Sequence, residues 1–199
     1  MKKRELTSQQ LIEAAILLFA QHGIEKTSLA MIAAEVGITK PSIYYHFASK
    51  DELVEKVFEY MFSDYHFGQY FPISDFNEQN FAEKLFQGGI SMFPQDKENF
   101  YPVMRLLNEF MLTAGRGGHF GEAVVAMQQE FLEGFRQLLQ HGAKLGVIEE
   151  ENADSRAYVL ALVVDNITSY MMMGVKLDYE KIWKEAVNAT FRKGVDVIE

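Results

Sequence analysis

The chain has 199 residues, 48% of them hydrophobic and 24% charged, a composition that excludes a disordered chain and provides ample material for a buried core. It contains no cysteine, which excludes disulfides, thiolate metal sites and cysteine nucleophiles. No uninterrupted apolar run reaches the ~20 residues of a membrane span, and the polar stretch after the basic start does not resemble a signal peptide. We therefore expect a soluble cytoplasmic protein.

The net charge of −9 is unevenly distributed. Residues 1–56 hold seven basic and seven acidic side chains, whereas residues 57–199 hold twelve basic and twenty-one acidic ones. A neutral N-terminal segment can approach nucleic-acid phosphates that the acidic remainder of the chain would repel. The charge distribution permits a nucleic-acid role for this segment without establishing one.

Apolar residues recur at helical spacing along the chain and strict apolar/polar alternation is absent, which predicts an all-α fold. Residues that favour helix N-termini precede the periodic segments, and two of them begin capping-box patterns, Thr7-x-x-Gln10 and Ser49-x-x-Glu52. The predicted N-caps are Thr7, Ser28, Thr39, Ser49, Asn77, Asp96, Asn152 and Asp178. Glycine-containing breaks are expected to end or connect the helices. These breaks are 22–23, Gly37, 115–121 and 142–146.

Two short helices on either side of Gly37-Ile38-Thr39 predict a helix-turn-helix. The expected inward residues are Leu29, Ile32, Ala33 and Val36 on the first helix, and Ile43 and Phe47 on the second. The remaining side chains of the second helix are rich in hydrogen-bonding groups, which suits contact with phosphates and base edges. The alternative is a solvated surface helix with scattered aromatic side chains.

Residues 11 to 53 carry several motifs at consistent spacing. They are Leu11-Ile12-x-Ala14-Ala15-x-x-Leu18-Phe19-x-x-x-Gly23, Thr27-Ser28, Ile32-Ala33, Gly37-Ile38-Thr39-Lys40-Pro41-Ser42-Ile43-Tyr44-Tyr45-His46-Phe47 and Ser49-Lys50-x-x-Leu53. This segment resembles the DNA-binding head of TetR-family repressors. One departure is Val36, where the family more often has alanine, and we expect it to alter packing only.

The resemblance implies a homodimeric transcription regulator of the repressor type. Such a protein is expected to bind a palindromic DNA operator and to be released from it by a small-molecule effector. It implies a DNA-binding domain over residues 1–48 and an effector-binding and dimerisation domain over residues 49–199. The resemblance is silent about the identity of the effector.

The resemblance also implies DNA contacts at individual positions. Lys40 is expected to reach a guanine edge or a phosphate, and Tyr45 a base or sugar. Pro41 and Ser42 are expected to lie against the groove, Pro41 offering apolar contact to a thymine methyl group. The expected phosphate contacts are Ser28, Thr39, Tyr44, His46 and Lys50. For Lys50 the alternative is an ordinary solvated lysine.

Residues 57–199 contain fourteen Phe, seven Tyr, eight Met and the single Trp. Aromatic and methionine side chains form adaptable apolar pockets, so we predict a hydrophobic or aromatic effector; the alternative is that most of them are core. The predicted effector contacts are Phe58, Met61, Phe62, Tyr65, Tyr101, Met104, Phe110 and Met111. Glu109 and Asp165 lie in apolar stretches and are candidates for contact with a cationic ligand, or else are solvated or capped carboxylates.

Two predicted C-terminal helices, at about 153–174 and 179–195, carry more apolar surface than one subunit hides. This surface predicts a four-helix interface between two copies of the chain, as the family resemblance also implies. The predicted interface residues are Tyr158, Leu162, Asn166, Tyr170 and Met173 on one stripe, and Trp183, Val187 and Phe191 on another.

Signatures of catalysis are absent from the sequence. There is no His-Glu-x-x-His, no Gly-x-Ser-x-Gly and no phosphate-binding glycine loop, and His119-x-x-Glu122 lies in a predicted loop. We therefore expect no enzymatic activity, no metal and no cofactor.

Two non-enzymatic functions compete with that of a ligand-responsive repressor. An architectural DNA-binding protein without an effector predicts a basic body, which the acidic residues 57–199 oppose. A helical small-molecule carrier with a vestigial DNA-binding head predicts a decayed recognition helix, whereas the segment from Lys40 to His46 is intact. The sequence therefore favours the repressor.

Overall fold

The structure, a computed structural model, describes residues 3–63, 65–93, 106, 109–110, 112 and 119–191. Its regular elements are α-helices and two 3₁₀ turns, at Ile73–Asp75 and Glu150–Asn152. One isolated antiparallel β-bridge pairs Ile148 with Phe191. The helices are α1 (Lys3–His22), α2 (Leu29–Glu35), α3 (Lys40–Ile43), α4 (Lys50–Phe62), α5 (Phe67–Tyr70), α6 (Phe81–Met92), α7 (His119–Lys144), α8 (Ala153–Met172) and α9 (Tyr179–Asn188). The predicted all-α fold is confirmed.

Helix α1 begins earlier than its sequence pattern predicts. Thr7 lies inside the helix and is not its N-cap, because the good helix formers before it continue the helix back to Lys3. The predicted end is confirmed: Gly23 follows His22 with a φ of +85°, and its N–H donates to the carbonyl of Phe19 at 2.7 Å. A residue with a side chain adopts this left-handed conformation at a cost that glycine avoids.

The helix-turn-helix forms as predicted. The hydroxyl of Ser28 accepts a hydrogen bond from the N–H of Met31 and caps α2, while Gly37 has a φ of +76° in the turn before α3. Thr39 occupies the N-cap position of α3 without capping it, because its hydroxyl is hydrogen-bonded to that of Ser42 at 2.8 Å. The buried side chains of α2 and α3 are Leu29, Ile32, Ala33 and Ile43, whereas Val36 is only half-buried.

Helix α4 begins with the predicted reciprocal cap. The hydroxyl of Ser49 accepts from the N–H of Glu52 at 3.1 Å, and the Glu52 carboxylate accepts from the N–H of Ala48 at 2.6 Å. The carboxylate thus reaches one residue beyond the usual partner of a capping box, the N-cap itself. This pair fixes the position at which the chain leaves the helix-turn-helix and enters α4.

The described chain divides into two compact units. The first contains residues 3–63 and 65 together with the described residues between 106 and 125, and the second contains residues 66–93 and 126–191. The first unit holds α1 to α4, with the fully buried Leu11, Phe19 and Leu53 in its core. The functional boundary expected between residues 48 and 49 remains a prediction, since compactness does not report on function.

The core of the second unit packs aromatic rings directly against helical glycines. A Cβ on Gly89 of α6 would lie 2.1 Å from the indole of Trp183 on α9, and a Cβ on Gly134 of α7 would lie 2.2 Å from the ring of Phe67. The indole N–H of Trp183 donates to the carbonyl of Phe86 at 2.9 Å inside this core. These contacts bring ring and backbone closer than any other residue type would permit.

One of the two predicted dimerisation stripes is wrong. Trp183 and Val187 are 0% exposed and Phe191 is 7% exposed, so these side chains form part of the subunit's own core. Their helical spacing is that of an amphipathic helix whose apolar face α6 and α8 cover within the same chain. The spacing identifies the buried face correctly but does not tell which surface buries it.

Other predicted boundaries require smaller corrections. Asn77 is not an N-cap: its side-chain oxygen accepts from the N–H groups of Gln79 and Asn80 and forms a turn before α6. Helix α7 already includes residues 119–121 and continues through Gly142 to residue 144, because its long apolar stripe outweighs the glycines. The segment 119–122 is therefore helical and not a loop.

The predicted N-cap positions of the last two helices are confirmed. Asn152 precedes α8 without a side-chain capping bond, whereas the carboxylate of Asp178 accepts from the N–H of Lys181 and caps α9. Helices α8 and α9 end at residues 172 and 188, short of the predicted 174 and 195. Asp96 and residues 115–118 lie outside the described residues. Among the helices that the structure describes, none has both the length and the apolarity for crossing a membrane.

Candidate nucleic-acid interface

The recognition segment, residues 39–47, buries two side chains and leaves all the others except the half-buried His46 exposed. Ile43 is 0% and Phe47 is 4% exposed, and a spacing of four residues places them on the same side of the segment. Tyr44 and Tyr45 are 50% and 67% exposed. Helix α3 is a single turn long and continues as a hydrogen-bonded turn over residues 44–46. The remaining exposed side chains are Thr39, Lys40, Pro41 and Ser42.

Several of the predicted DNA contacts line one surface groove of about 540 Å³. The predicted contacts in this groove are Ser28, Lys40, Tyr44 and Lys50. Lysine, tyrosine and serine side chains are the groups that proteins use against phosphate oxygens. The groove therefore brings residues from the starts of α2 and α4 and from both ends of α3 into one cationic, hydroxyl-bearing surface.

Lys26 also lines this groove and is missing from the sequence-based set of contacts. It is exposed in the turn before α2, where no periodicity points to a role. Its position two residues before the predicted N-cap Ser28 is the sequence feature from which a contact at Lys26 could have been predicted. Across the groove, Nζ of Lys50 donates to the backbone carbonyl of Glu25 at 3.1 Å, which holds this ammonium group at the groove's edge.

His46 has a structural contact that the sequence does not reveal. Its Nδ1 lies 2.8 Å from the hydroxyl of Ser8 on α1, and the ring is half-buried. This hydrogen bond ties the end of the recognition segment to the first helix. Its expected phosphate contact remains a prediction, as do all the other expected DNA contacts, including the phosphate contact of Thr39 and the base or sugar contact of Tyr45, which do not line the groove.

The predicted effector contacts that the structure describes include four aromatic rings in the first unit, which we call the aromatic cluster. The ring centroids of Phe58 and Phe62 are 4.7 Å apart, those of Phe58 and Phe110 are 5.5 Å apart, and those of Phe62 and Tyr65 are 5.9 Å apart. Phe58 and Phe110 are buried, whereas Phe62 and Tyr65 are half-buried, as is Met61. Tyr101, Met104 and Met111 lie outside the described residues.

The two candidate carboxylates have different environments. Glu109 accepts a hydrogen bond from the backbone N–H of Ile24 at 2.8 Å, in the connection between α1 and α2. For Asp165, burial raises the pKa above its ordinary value, and a hydrogen bond from Gln128 offsets only part of this effect. Within the described ranges, no three histidine or carboxylate side chains come together as a metal site.

The other predicted dimerisation stripe lies on the surface of the second unit. Tyr158, Leu162, Tyr170 and Met173 are 42%, 58%, 45% and 66% exposed. Asn166 lies between them on α8 and donates from its side chain to the carbonyl of Leu162. A row of large apolar side chains exposed along one helix face is a candidate protein–protein contact surface.

Comparison with known proteins gives a match at the N-terminal part of the chain. Residues 11–57 match the family model of bacterial regulatory proteins of the tetR family. A probable acrEF/envCD operon repressor of Escherichia coli K12 is 47% identical over 51 residues, which are 26% of this chain and 23% of that protein. The match therefore spans less than a quarter of that relative's length.

Solved structures are similar over nearly the whole chain at low sequence identity. A transcriptional regulator from Saccharomonospora viridis in complex with choline has a TM-score of 0.78 at 15% identity and covers 95% of this chain and 100% of its own. SmeT, the repressor of the Stenotrophomonas maltophilia multidrug efflux pump SmeDEF, has a TM-score of 0.70 at 21% identity. This match covers 98% of the present chain and 96% of SmeT. A SmeT–triclosan complex has a TM-score of 0.64 at 20% identity, and the match covers 96% of the present chain and 95% of SmeT.

The two kinds of similarity agree. The sequence match covers the segment that forms α2, α3 and the groove, and the structural match extends to the helices that follow it. Residues 11–57 therefore match the tetR-family model, and the chain shares its fold with the transcriptional regulators to which it is structurally similar.

Proposed function

We propose that this protein is a ligand-responsive transcriptional repressor that binds a palindromic DNA operator as a homodimer. The observation that carries the proposal is the groove in which Ser28, Lys40, Tyr44 and Lys50 meet, within the segment that matches the TetR family. The groups in this groove are suited to a phosphate backbone. Because Ile43 and Phe47 anchor the recognition segment in the core, its exposed side chains at residues 39–42 and at Tyr44 can meet DNA.

In the proposed complex, α3 lies in the major groove and its neighbours bind phosphates. Lys40, at the first position of α3, is exposed and reads a base edge. Tyr44 and Lys50 bind phosphates on the two sides of the groove that they line. Phosphate contacts fix the position of the head on the duplex, while base contacts select the sequence.

The repressor is proposed to act as a homodimer because one head covers too few base pairs for useful specificity. Two-fold symmetry lets paired heads read a palindrome in successive major grooves, ~34 Å apart. The exposed stripe on α8, with Leu162 and Met173 as its most exposed members, is the surface that a second copy would cover.

The effector is proposed to bind at the aromatic cluster. Phe62, Tyr65 and Met61 are half-buried there, so they combine apolar contact area with access from solvent. SmeT, a fold relative, has a complex with triclosan, and the Saccharomonospora viridis regulator has one with choline. Aromatic side chains bind both apolar rings and quaternary ammonium groups, so both compounds are suitable probes.

Helix α4 connects DNA binding and effector binding in this proposal. It begins at Lys50, in the groove, and carries Phe58 and Phe62 of the aromatic cluster nearer its other end. An effector wedged against Phe62 would tilt this helix and change the separation of the two heads. A shift of a few ångströms would lose DNA affinity, because both heads must fit successive grooves.

The test is a selection experiment followed by release measurements. The purified protein is incubated with a random duplex library, and the enriched duplex is used in binding assays with triclosan, choline and a panel of aromatic and cationic compounds. The proposal expects a palindromic duplex and at least one compound that weakens its binding. A carrier with a vestigial head would bind compounds yet enrich no sequence, and that result would overturn the proposal.

A further inference from the structure

The carboxylate of Glu109 reaches a turn that lies 85 residues away in the chain. Its Oε2 accepts a hydrogen bond from the backbone N–H of Ile24 at 2.8 Å. Its Oε1 occupies space next to Gly23, where a side-chain Cβ would come within 3.0 Å of it. The carboxylate thus lies against the first two residues of the connection between α1 and α2.

This connection leads directly into the helix-turn-helix and is bonded internally. Thr27 is 1% exposed, and its hydroxyl lies within hydrogen-bonding distance of the carbonyl oxygens of Gly23, at 2.9 Å, and of Leu18, at 3.2 Å. The next residue, Ser28, caps α2. Because the turn is short and internally bonded, a displacement at Ile24 reaches α2 within four residues.

The residue after Glu109 contacts a different element. Phe110 is 0% exposed, and its ring lies edge-on to that of Phe58 in the aromatic cluster. Successive residues in a helix point about 100° apart, so neighbours can contact two different elements. Residues 109 and 110 therefore link the aromatic cluster to the turn before the helix-turn-helix.

We propose that Glu109 is a positioning residue for DNA binding, which holds the α1–α2 turn in the arrangement that the operator requires. The inference rests on the proposed function and adds a second route from the aromatic cluster to the helix-turn-helix, which passes through the α1–α2 turn and not along α4 to Lys50. An effector that displaces Phe110 pulls the carboxylate from Ile24 and releases the turn. The hydrogen bond is suited to this role because its acceptor is a carboxylate, and such bonds are stronger than neutral ones.

The experiment compares Glu109→Ala with Glu109→Gln, which keeps a side-chain oxygen as acceptor. Glu59→Ala is the matched control, because Glu59 is an exposed glutamate of α4 that is ion-paired with Lys56. Two quantities are measured on folded protein: the hydrogen exchange of the Ile24 amide, and the affinity for the duplex that the wild-type protein selects from a random library.

Glu109→Ala is expected to speed exchange at Ile24 and to weaken duplex binding by about fivefold to thirtyfold, a range that one charge-assisted hydrogen bond can supply. Glu109→Gln is expected to recover part of both quantities, and Glu59→Ala to match the wild-type protein. A merely structural role would lower the unfolding midpoint while leaving the duplex affinity of the folded protein unchanged, and that outcome would overturn the inference.

The link to the aromatic cluster is tested with Phe110→Leu, which removes the ring contact and keeps an apolar side chain. Faster exchange at Ile24 in this variant is expected, and unchanged exchange would overturn the link. If Phe110→Leu does not fold, Phe58→Leu removes the same ring contact from its other partner. If the wild-type protein selects no duplex, the proposed function fails as a whole, whereas wild-type affinity in Glu109→Ala rejects only the positioning role.

Discussion

The hydroxyl of Ser8 lies 2.8 Å from Nδ1 of His46, so a hydrogen bond joins the first helix to the end of the recognition segment. The segment itself has only one turn of α-helix and is anchored by Ile43 and Phe47. A short helix has little rigidity of its own, because few of its backbone groups bond within it. The bond to Ser8 is therefore a candidate determinant of how the segment is presented to DNA.

We predict that Ser8→Ala weakens binding to all duplexes by about twofold to tenfold, the effect of losing one ordinary hydrogen bond. The loss should be greater for the selected duplex than for a scrambled one, because the segment that Ser8 positions carries the base-reading Lys40. Fluorescence anisotropy titrations measure both affinities. Ser63→Ala is the control, because that hydroxyl donates to the carbonyl of Tyr60 within its own helix end. Unchanged affinity in Ser8→Ala would contradict the positioning role.

Lys40 and Lys50 are predicted to differ in kind. Lys50→Ala should weaken binding to every duplex and reduce its salt dependence, because a phosphate contact carries no sequence information. Lys40→Ala should instead alter the preferred bases, by ~1–3 kcal/mol for a lost bidentate contact. Binding to a set of duplexes with single base-pair changes distinguishes the two. If Lys40→Ala kept the parent's order of preference, its base-reading role would be wrong.

Leu162→Glu is predicted to break the dimer without unfolding the subunit. A carboxylate placed in an apolar interface is left without a partner, which is costly, whereas in the separated subunit it is solvated. Leu17→Glu on α1 is a matched control, because both leucines are 58% exposed. Sedimentation velocity at micromolar concentration should show dimers for the wild-type protein and Leu17→Glu, and monomers for Leu162→Glu. A monomeric wild-type protein would reject the proposed homodimer.

Gly89→Ala is predicted to destabilise the fold by about 1–3 kcal/mol, because the added methyl group meets the indole of Trp183 in a packed core. Gly68→Ala provides the comparison: nothing lies within 4 Å of its Cβ position, and alanine favours a helix. Urea unfolding measures both. Equal stability of the two variants would show that α6 and α9 adjust to the extra volume.

Asp165→Asn is predicted to raise the free energy of unfolding at neutral pH. Burial raises the pKa of the Asp165 carboxyl above its ordinary 3.8, so the folded protein binds this proton more tightly than the unfolded chain does. The free energy of unfolding therefore falls as the pH rises from the pKa of Asp165 in the unfolded chain through its pKa in the folded protein. Asparagine, which does not ionise, removes that loss. Urea unfolding should show a difference between the proteins at pH 7 that disappears below pH 3.8. Asp154→Asn, on the same helix, is the control.

The helix-turn-helix could be predicted in detail because its determinants are local. Ser28, Gly37 and Ser49 act within three or four residues of their own positions, and short-range capping and turn geometry can be inferred from sequence spacing. Thr7 shows the limit of this approach: a capping pattern inside a longer run of helix-forming residues does not start a helix.

Contacts between distant segments could not be predicted in this way. The bonds from Ser8 to His46 and from Glu109 to Ile24 join residues 38 and 85 positions apart, and neither leaves a mark in local spacing. The stripe of Trp183, Val187 and Phe191 is a second example in which local spacing does not predict a contact between distant segments. Its periodicity correctly predicts a buried face, but whether the same subunit or a second copy covers that face is a property of the tertiary packing.

The packing of Trp183 against Gly89 has a spectroscopic consequence. The chain has one tryptophan, so its intrinsic fluorescence has a single indole source, and that indole is 0% exposed between α6 and α9. Emission from the folded protein should be that of an indole shielded from water, and it should shift to longer wavelength when this core opens. A compound that binds at the aromatic cluster, which belongs to the other compact unit, and still changes this emission would report coupling between the two units without any label.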